Sequence, residues 1–328
     1  MKVSILGTGS FASAIAQILT DNNNDVLLWT NDLKQIDEIN TKHTNKQYYE
    51  DFKFSNKVNA TSSLEELLEY SELIIVALPS KIISIVTKRI NKILKHSKSK
   101  KIFLNMSKGI DYKNLITISE IIENNISSEH IKNVYTMTGP TFAKEIIERK
   151  ISKFTLAGKN LNDSTLIKNI FKNDYILIDI IDDIKGVEII SSIKNIVALA
   201  AGVIDGLGYE NNTHAIIITE GIKEMMKLSI FYNIDTNTIL SVSGIGDLVL
   251  TASTTTSRNY ITGKKVGEGQ KIEKAIESTK TVVEGVECAK AMYKFSKKHK
   301  VELPITNAIY NIFFKNKDPK KEILKIFK

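Results

Sequence analysis

The chain has a single cysteine, Cys288, so it can form no intramolecular disulfide and offers no cysteine-based metal site. Proline is scarce, at 4 residues, and glycine contributes only 16 of 328, which excludes long disordered linkers. No apolar run reaches about 18 residues, so no membrane span is expected. A strand pattern begins at Lys2, with no charged leader, apolar core and cleavage site before it. These absences predict a cytoplasmic protein with no metal and no integral membrane contact.

Hydrophobic residues make up 42% and charged residues 25%, the range of a globular protein, and the length suits two domains with a sizeable core. A net charge of +8 admits nucleic acid or an anionic surface as partner, and it equally suits a phosphorylated small molecule. Lysine is spread along the whole chain, so the charge reads as a compositional habit and nucleic acid is set aside. The basic run at 95–101 (KHSKSKK) reads as a solvated loop.

The most informative stretch opens the chain. Residues 2–6 are a short apolar run of buried-strand type, followed by Gly7-Thr8-Gly9-Ser10-Phe11-Ala12, which fits G-x-G-x-x-G/A. Phe11, Ala14, Ile15, Ile18 and Leu19 then recur at helical spacing. Strand, glycine turn and helix form the first half of a dinucleotide-binding unit. Gly7 permits the tight turn, Gly9 lets backbone approach a pyrophosphate, and Ala12 keeps helix and strand close. The N–H groups at the helix start then face the phosphates. The second strand is expected over 25–30. At its carboxyl end a carboxylate would bind the ribose hydroxyls of NAD, and an arginine would take the 2′-phosphate of NADP. Asn31, Asp32 and nearby Lys34 leave that choice open, leaning slightly to NAD.

Residues 41–60 read as a loop or short excursion with surface-packed aromatics. Further strands are expected over 73–78, 102–105, 134–137, 154–157 and 175–180, with helices over 64–70, 82–94 and 115–124. The alternation ends near 182–186. The reading is therefore a dinucleotide-binding domain over 1–184 and an all-helical domain over 185–328. The first is an open, mainly parallel doubly wound sheet. Ligands of such sheets bind outside the carboxyl ends of the strands, where Ser10, Ser80, Lys108 and Gly139 to Ala143 gather.

In the second half, residues 188–203 form an apolar helix that holds Lys194, and residues 202–208 (GVIDGLG) are expected to break it. Residues 243–248 read as a glycine-bracketed loop carrying Asp247. Residues 254–259 (TTTSRN) read as a polar loop whose donors and one arginine suit a phosphate. A helix follows over 282–299, with Glu284 near its start, then an apolar element over 301–314. The basic tail, 315–328, leaves room for a weak membrane-surface contact.

Taken together, GTGSFASAIA, NMSKGI, TGPTFAKEI, SSIKNIVALAAGVIDGLG, SGIGDLVLTAS, TSRN and VVEGVECAKA resemble, in this order and at these separations, the bacterial NAD(P)-dependent glycerol-3-phosphate dehydrogenases. The likeness covers all but the tail. It implies a Rossmann domain and a helical domain similar to that of 6-phosphogluconate dehydrogenase. It also implies interconversion of sn-glycerol 3-phosphate and dihydroxyacetone phosphate with NAD or NADP, in support of glycerophospholipid synthesis, by a homodimer. By position, Gly7, Gly9, Ser10, Phe11, Asn31, Lys108, Ala143, Arg258, Val282 and Glu284 would contact the cofactor. Lys108, Gly139, Thr141, Asp247, Ser257, Arg258 and Asn259 would hold the substrate. Lys194 would be the proton acceptor, with Asp247 orienting substrate or lysine by hydrogen bonding.

The chemistry agrees with that assignment. Moving a hydride from the carbinol carbon requires a base for the hydroxyl proton. Free lysine, with a pKa of about 10.4, would be protonated at neutral pH. An apolar helix face and a second cation, Lys108, are both expected to disfavour the charged form. Where relatives often carry basic residues, this chain has Asn31, His214 and Glu220. Two rivals remain: a hydroxyacid dehydrogenase of the same two-domain build, and a nucleotide-sensing protein without turnover.

Overall fold

The structure, a computed structural model, describes residues 1–279 and 283–328. Val282, expected at the cofactor, lies outside the described residues. Contacts divide the chain into one compact unit of Met1–Lys108 with Ile116–Ile184, and a second of Gly109–Leu115 with Lys185–Lys328. A single linear division misses the short Gly109–Leu115 segment.

In the first unit the strands are β1 (Lys2–Leu6), β2 (Asp25–Trp29), β3 (Thr44–Asn45), β4 (Tyr49–Lys53), β5 (Val58–Thr61), β6 (Leu73–Val76), β7 (Lys101–Asn105), β8 (Ile131–Thr138), β9 (Ser152–Ala157) and β10 (Ile176–Ile181). The main sheet runs β10-β9-β8-β7-β6-β1-β2-β5. The six strands β8-β7-β6-β1-β2-β5 have the order of a dinucleotide-binding sheet and pair in parallel, whereas β8 and β9 pair antiparallel. Alternation along β1 sorts the two faces. Val3 and Ile5 join a core with Ile15 and Leu19 of the Ser10–Asp21 helix, and Leu6 joins another with Leu27, Trp29 and Ile74.

Three expectations for this unit need correction. Residues 41–60 are no mere excursion: β3 and β4 form a hairpin, and β5 pairs with β2 as the edge of the main sheet. The basic run is only partly a solvated loop, because Lys101 opens β7 and is 6% exposed. Its Nζ donates to the carbonyls of Leu68 (2.5 Å) and Ser71 (3.0 Å) at the end of the Leu64–Tyr70 helix. The unpaired carbonyls there attract a cation, which periodicity and charge pattern do not reveal. Finally, the helix expected over 115–124 is Ile118–Asn125, started by a Thr117–Glu120 capping box.

The second unit is helical and built around Ile184–Gly206. Every residue from Gly186 to Ile204 is buried, which explains a helix that is apolar all round. By length and composition this one helix could cross a membrane, contrary to the reading of the sequence, but it is the interior of the unit. Nor does the helix break at Gly202. Gly202 and Gly206 face Gly263 and Gly267 of the Arg258–Gly267 helix, and the backbones nearly touch. A Cβ on Gly202 would lie 2.0 Å from Tyr260 O, and one on Gly263 would lie 2.1 Å from Leu199 O.

Glu224, 1% exposed, caps the Pro304–Lys315 helix by accepting from Ile305 N (2.5 Å), Thr306 N (3.2 Å) and Thr306 Oγ1 (2.7 Å). Burial pushes its carboxyl up to about 7 against those bonds. Burial likewise pushes the Cys288 thiol up to about 12, so it is a core filler rather than a nucleophile. The tail folds as Pro319–Ile326 and sinks Ile323 and Ile326 into the core. Ile323 and Ile326 are thus covered by the unit itself, while Leu324 and Phe327 stay exposed.

Candidate active site

In the first unit the fingerprint turn links β1 to the Ser10–Asp21 helix. Gly7 has φ +122°, and a Cβ there would lie 2.5 Å from Ala77 O, so only glycine fits. Gly9 is the helix N-cap, and a Cβ on it would meet nothing within 4 Å. Open space over Gly9 beside a helix N-terminus is what a dinucleotide pyrophosphate requires, so these residues fit the cofactor. Ser10 starts the helix, and the Lys108 ammonium stands 6.0 Å from the Phe11 ring centroid. The turn, Phe11 and Lys108 are thus brought together at the carboxyl ends of β1 and β7.

At the end of β2 the Asp32 carboxylate caps the Leu33–Lys42 helix, accepting from Lys34 N (3.0 Å) and Gln35 N (3.3 Å). One oxygen, Oδ1, is engaged as the cap, and Asn31, Asp32 and Lys34 are all exposed. Gly139 follows β8. Thr141 is 5% exposed and its hydroxyl donates to Gly139 O (3.4 Å), while Ala143 opens the short Ala143–Ile147 helix.

In the second unit Lys194 and Asp247 form a buried ion pair, each 2% exposed or less, with Lys194 Nζ donating to Asp247 Oδ2. Two charges out of water persist only as such a pair. Asp247 does not sit in a loop: a π-helical turn, Val242–Gly246, delivers it as the first residue of the Asp247–Ser253 helix. Thr251 Oγ1 steadies it from the next turn, donating to Asp247 O at 2.6 Å. The carboxylate is a charged partner for Lys194 that the expectation from burial and Lys108 did not include.

Residues 254–257 are non-helical, as expected, but Arg258 and Asn259 are helical rather than loop. Ser257 caps the Arg258–Gly267 helix by accepting from Tyr260 N at 3.5 Å, with Arg258 and Asn259 in its first turn. Arg258 is exposed, whereas Ser257 and Asn259 are 7% and 8% exposed. Asn259 Nδ2 donates to Asn195 Oδ1 (2.9 Å), and Asn259 Oδ1 accepts from Gly285 N (3.0 Å). Asn195 Nδ2 reaches Glu284 Oε2 at 3.4 Å. Three helices are thereby stitched together one residue away from Lys194. Asn195, next to Lys194 in the chain, is a functional neighbour that the sequence analysis does not single out; a polar amide in an apolar helix is its only mark.

His214 stacks on Tyr260 with centroids 6.3 Å apart, and burial lowers its pKa despite nearby Asp205. Glu220 pairs with Lys223 at 2.7 Å. Among the described residues, no group of three or more His, Cys, Asp or Glu side chains is placed to hold a metal.

Comparison with known proteins adds an independent finding. Residues 2–164 match the family model for the N-terminus of NAD-dependent glycerol-3-phosphate dehydrogenase, and residues 183–324 match that for its C-terminus. A glycerol-3-phosphate dehydrogenase, NAD(P)+, of Staphylococcus epidermidis is 38% identical over 322 residues, covering 98% of this chain and 96% of that protein. One from Ligilactobacillus salivarius is 35% identical over 322 residues, covering 98% and 95%. Among solved structures, glycerol-3-phosphate dehydrogenase from Coxiella burnetii aligns with a TM-score of 0.91 at 27% identity, over 100% of this chain and 98% of that one.

Proposed function

The chain belongs to the NAD-dependent glycerol-3-phosphate dehydrogenase family, and from that premise we propose that Lys194 is the proton-transfer residue of the reaction. The protein is an NAD(P)-dependent oxidoreductase that interconverts sn-glycerol 3-phosphate and dihydroxyacetone phosphate. The observation that carries the assignment of Lys194 is its buried ion pair with Asp247, a charged group held at high cost inside the core of the second unit.

When bound, the nicotinamide supplies or accepts the hydride at C2 of the substrate. The chain's own residues handle the proton. In the reductive direction the Lys194 ammonium gives its proton to the ketone oxygen as that oxygen gains negative charge. In the oxidative direction the neutral amine takes the proton from the C2 hydroxyl. Asp247 orients the amine through their ion-paired hydrogen bond. Arg258 and Asn259, with the Ser257 hydroxyl, supply a fork of donors and a cation at a helix N-terminus, the chemistry that holds a phosphate.

Gly7, Gly9, Ser10, Phe11 and Lys108 would hold the diphosphate side of the cofactor, and Asn31 the adenosine ribose. Ala143 and Glu284 would lie further along it. Gly139, Thr141 and Lys108 would line the substrate. We place the enzyme in the cytoplasm as a homodimer that feeds glycerophospholipid synthesis.

The phosphate assignment has a direct test. Arg258→Ala is expected to raise the KM for dihydroxyacetone phosphate by about 10–100-fold, the value of one or two charge-assisted hydrogen bonds. The NADH KM, to which Arg258 would also contribute, should rise by a smaller factor. Steady-state kinetics with each substrate varied reads both, and an unchanged KM for dihydroxyacetone phosphate would move the phosphate site elsewhere.

A further inference from the structure

Behind the fingerprint turn lies a buried polar cluster that the reaction scheme does not use. Thr8, Ser13, Gln35 and Asn45 are 6%, 0%, 7% and 0% exposed, and their polar groups satisfy one another. Thr8 Oγ1 donates to Gln35 Oε1 at 2.5 Å. Gln35 Nε2 donates to Asn45 Oδ1 (2.9 Å) and reaches Thr8 O (3.5 Å). Asn45 Nδ2 donates to Thr8 O (2.8 Å) and to Ser13 Oγ (3.0 Å). Beside them the half-buried Tyr49 hydroxyl donates to Ser10 O at 3.0 Å. Asn45 and Tyr49 face each other across the β3–β4 hairpin.

We propose that Gln35, Asn45 and Tyr49 are positioning residues that aim the dinucleotide-binding turn and set its affinity for cofactor. The inference rests on the dinucleotide-binding reading of the first unit. Its physical basis is the planar trans peptide, in which C=O and N–H point in opposite directions. Pinning Thr8 O to Asn45 turns the Gly9 N–H away from the cluster, and pinning Ser10 O to Tyr49 does the same for the Phe11 N–H. These are the backbone donors at the helix start, where a pyrophosphate is recognised. A glycine-flanked turn is intrinsically loose, so without the clamp the donors would sample many directions and binding would have to order them. Because the amides sit in a low-dielectric interior and are fully paired, each bond is costly to break and the set acts as one unit. The hairpin, expected to be a surface excursion, thus becomes the brace of the cofactor site.

The test uses the full-length enzyme and calorimetric titration with NADH and NADPH, together with steady-state kinetics and melting curves. Tyr49→Phe removes one hydroxyl and is expected to raise the dinucleotide Kd and KM by about three- to tenfold, the size of one hydrogen bond. Asn45→Ser should raise them by more than tenfold. In both, kcat at saturating cofactor should stay within about twofold, and the KM for dihydroxyacetone phosphate should hold. A role in folding alone would lower the melting temperature while leaving the dinucleotide Kd at the parental value, and that result overturns the proposal. Should Asn45→Ser not fold, Tyr49→Phe decides. A parent that binds neither NADH nor NADPH overturns the dinucleotide reading and the proposal with it. Parental binding with unchanged Kd in the variants overturns the proposal alone.

Discussion

Lys194→Ala is expected to lower kcat by about 10²–10⁴-fold, the usual contribution of a positioned proton donor. The variant should still bind NADH, because the fingerprint turn at residues 7–12 belongs to the other unit. A second effect follows from the pairing. With the ammonium gone, Asp247 stays 1% exposed without its cation, and breaking a buried pair from one side costs about 3–5 kcal/mol. Stability should therefore fall along with turnover. Adding Asp247→Asn removes the orphaned charge and should recover much of the stability but none of the turnover. Single-turnover kinetics, NADH titration and melting curves on the single and double variants separate the two effects. Near-parental kcat in Lys194→Ala would remove the lysine from the proton-transfer role.

Gly263→Val should destabilise the second unit more than any surface change. Two opposing effects decide the sign. Glycine within a helix is poorer than alanine by about 1 kcal/mol, so replacing it gains a little helical propensity. Against that, a Cβ at residue 263 would stand 2.1 Å from Leu199 O and 3.0 Å from Val203 N, and both are backbone atoms that no rotamer change can move. The helices must separate, which costs about 1–3 kcal/mol or more and corresponds to a fall of about 2–12 °C in Tm. The shift would travel to the start of the same helix, where Arg258 and Asn259 lie, so the KM for dihydroxyacetone phosphate should rise as well. A melting temperature equal to or above the parent's would show that the helices are not in backbone contact.

Which parts of this were legible beforehand follows from the range of the interactions. The fingerprint turn is local: strand, glycines and helix lie within one short stretch, so their spacing carries the meaning. Lys194 was legible as an oddity, a charge in an apolar helix. Its partner Asp247 lies 53 residues away; it is expected to orient substrate or lysine, and the structure pairs it with the lysine. Gly202 and Gly206 were visible but misread, because low helix propensity says "break" while the true demand is close approach to another backbone. Lys101 was misread because charge patterning cannot see that the end of a neighbouring helix supplies carbonyls for it. Gln35 and Asn45 are ordinary polar residues until the fold buries them against Thr8. The family resemblance bridged some of these gaps in residue identity, but it did not supply the contacts.

The whole account stands on one assay, the initial rate at which the purified chain consumes NADH or NADPH when dihydroxyacetone phosphate is added. Rapid oxidation of at least one of them, with small 2-keto acids inert under the same conditions, is the predicted result. No oxidation of either with dihydroxyacetone phosphate, or faster oxidation with a 2-keto acid, would contradict it.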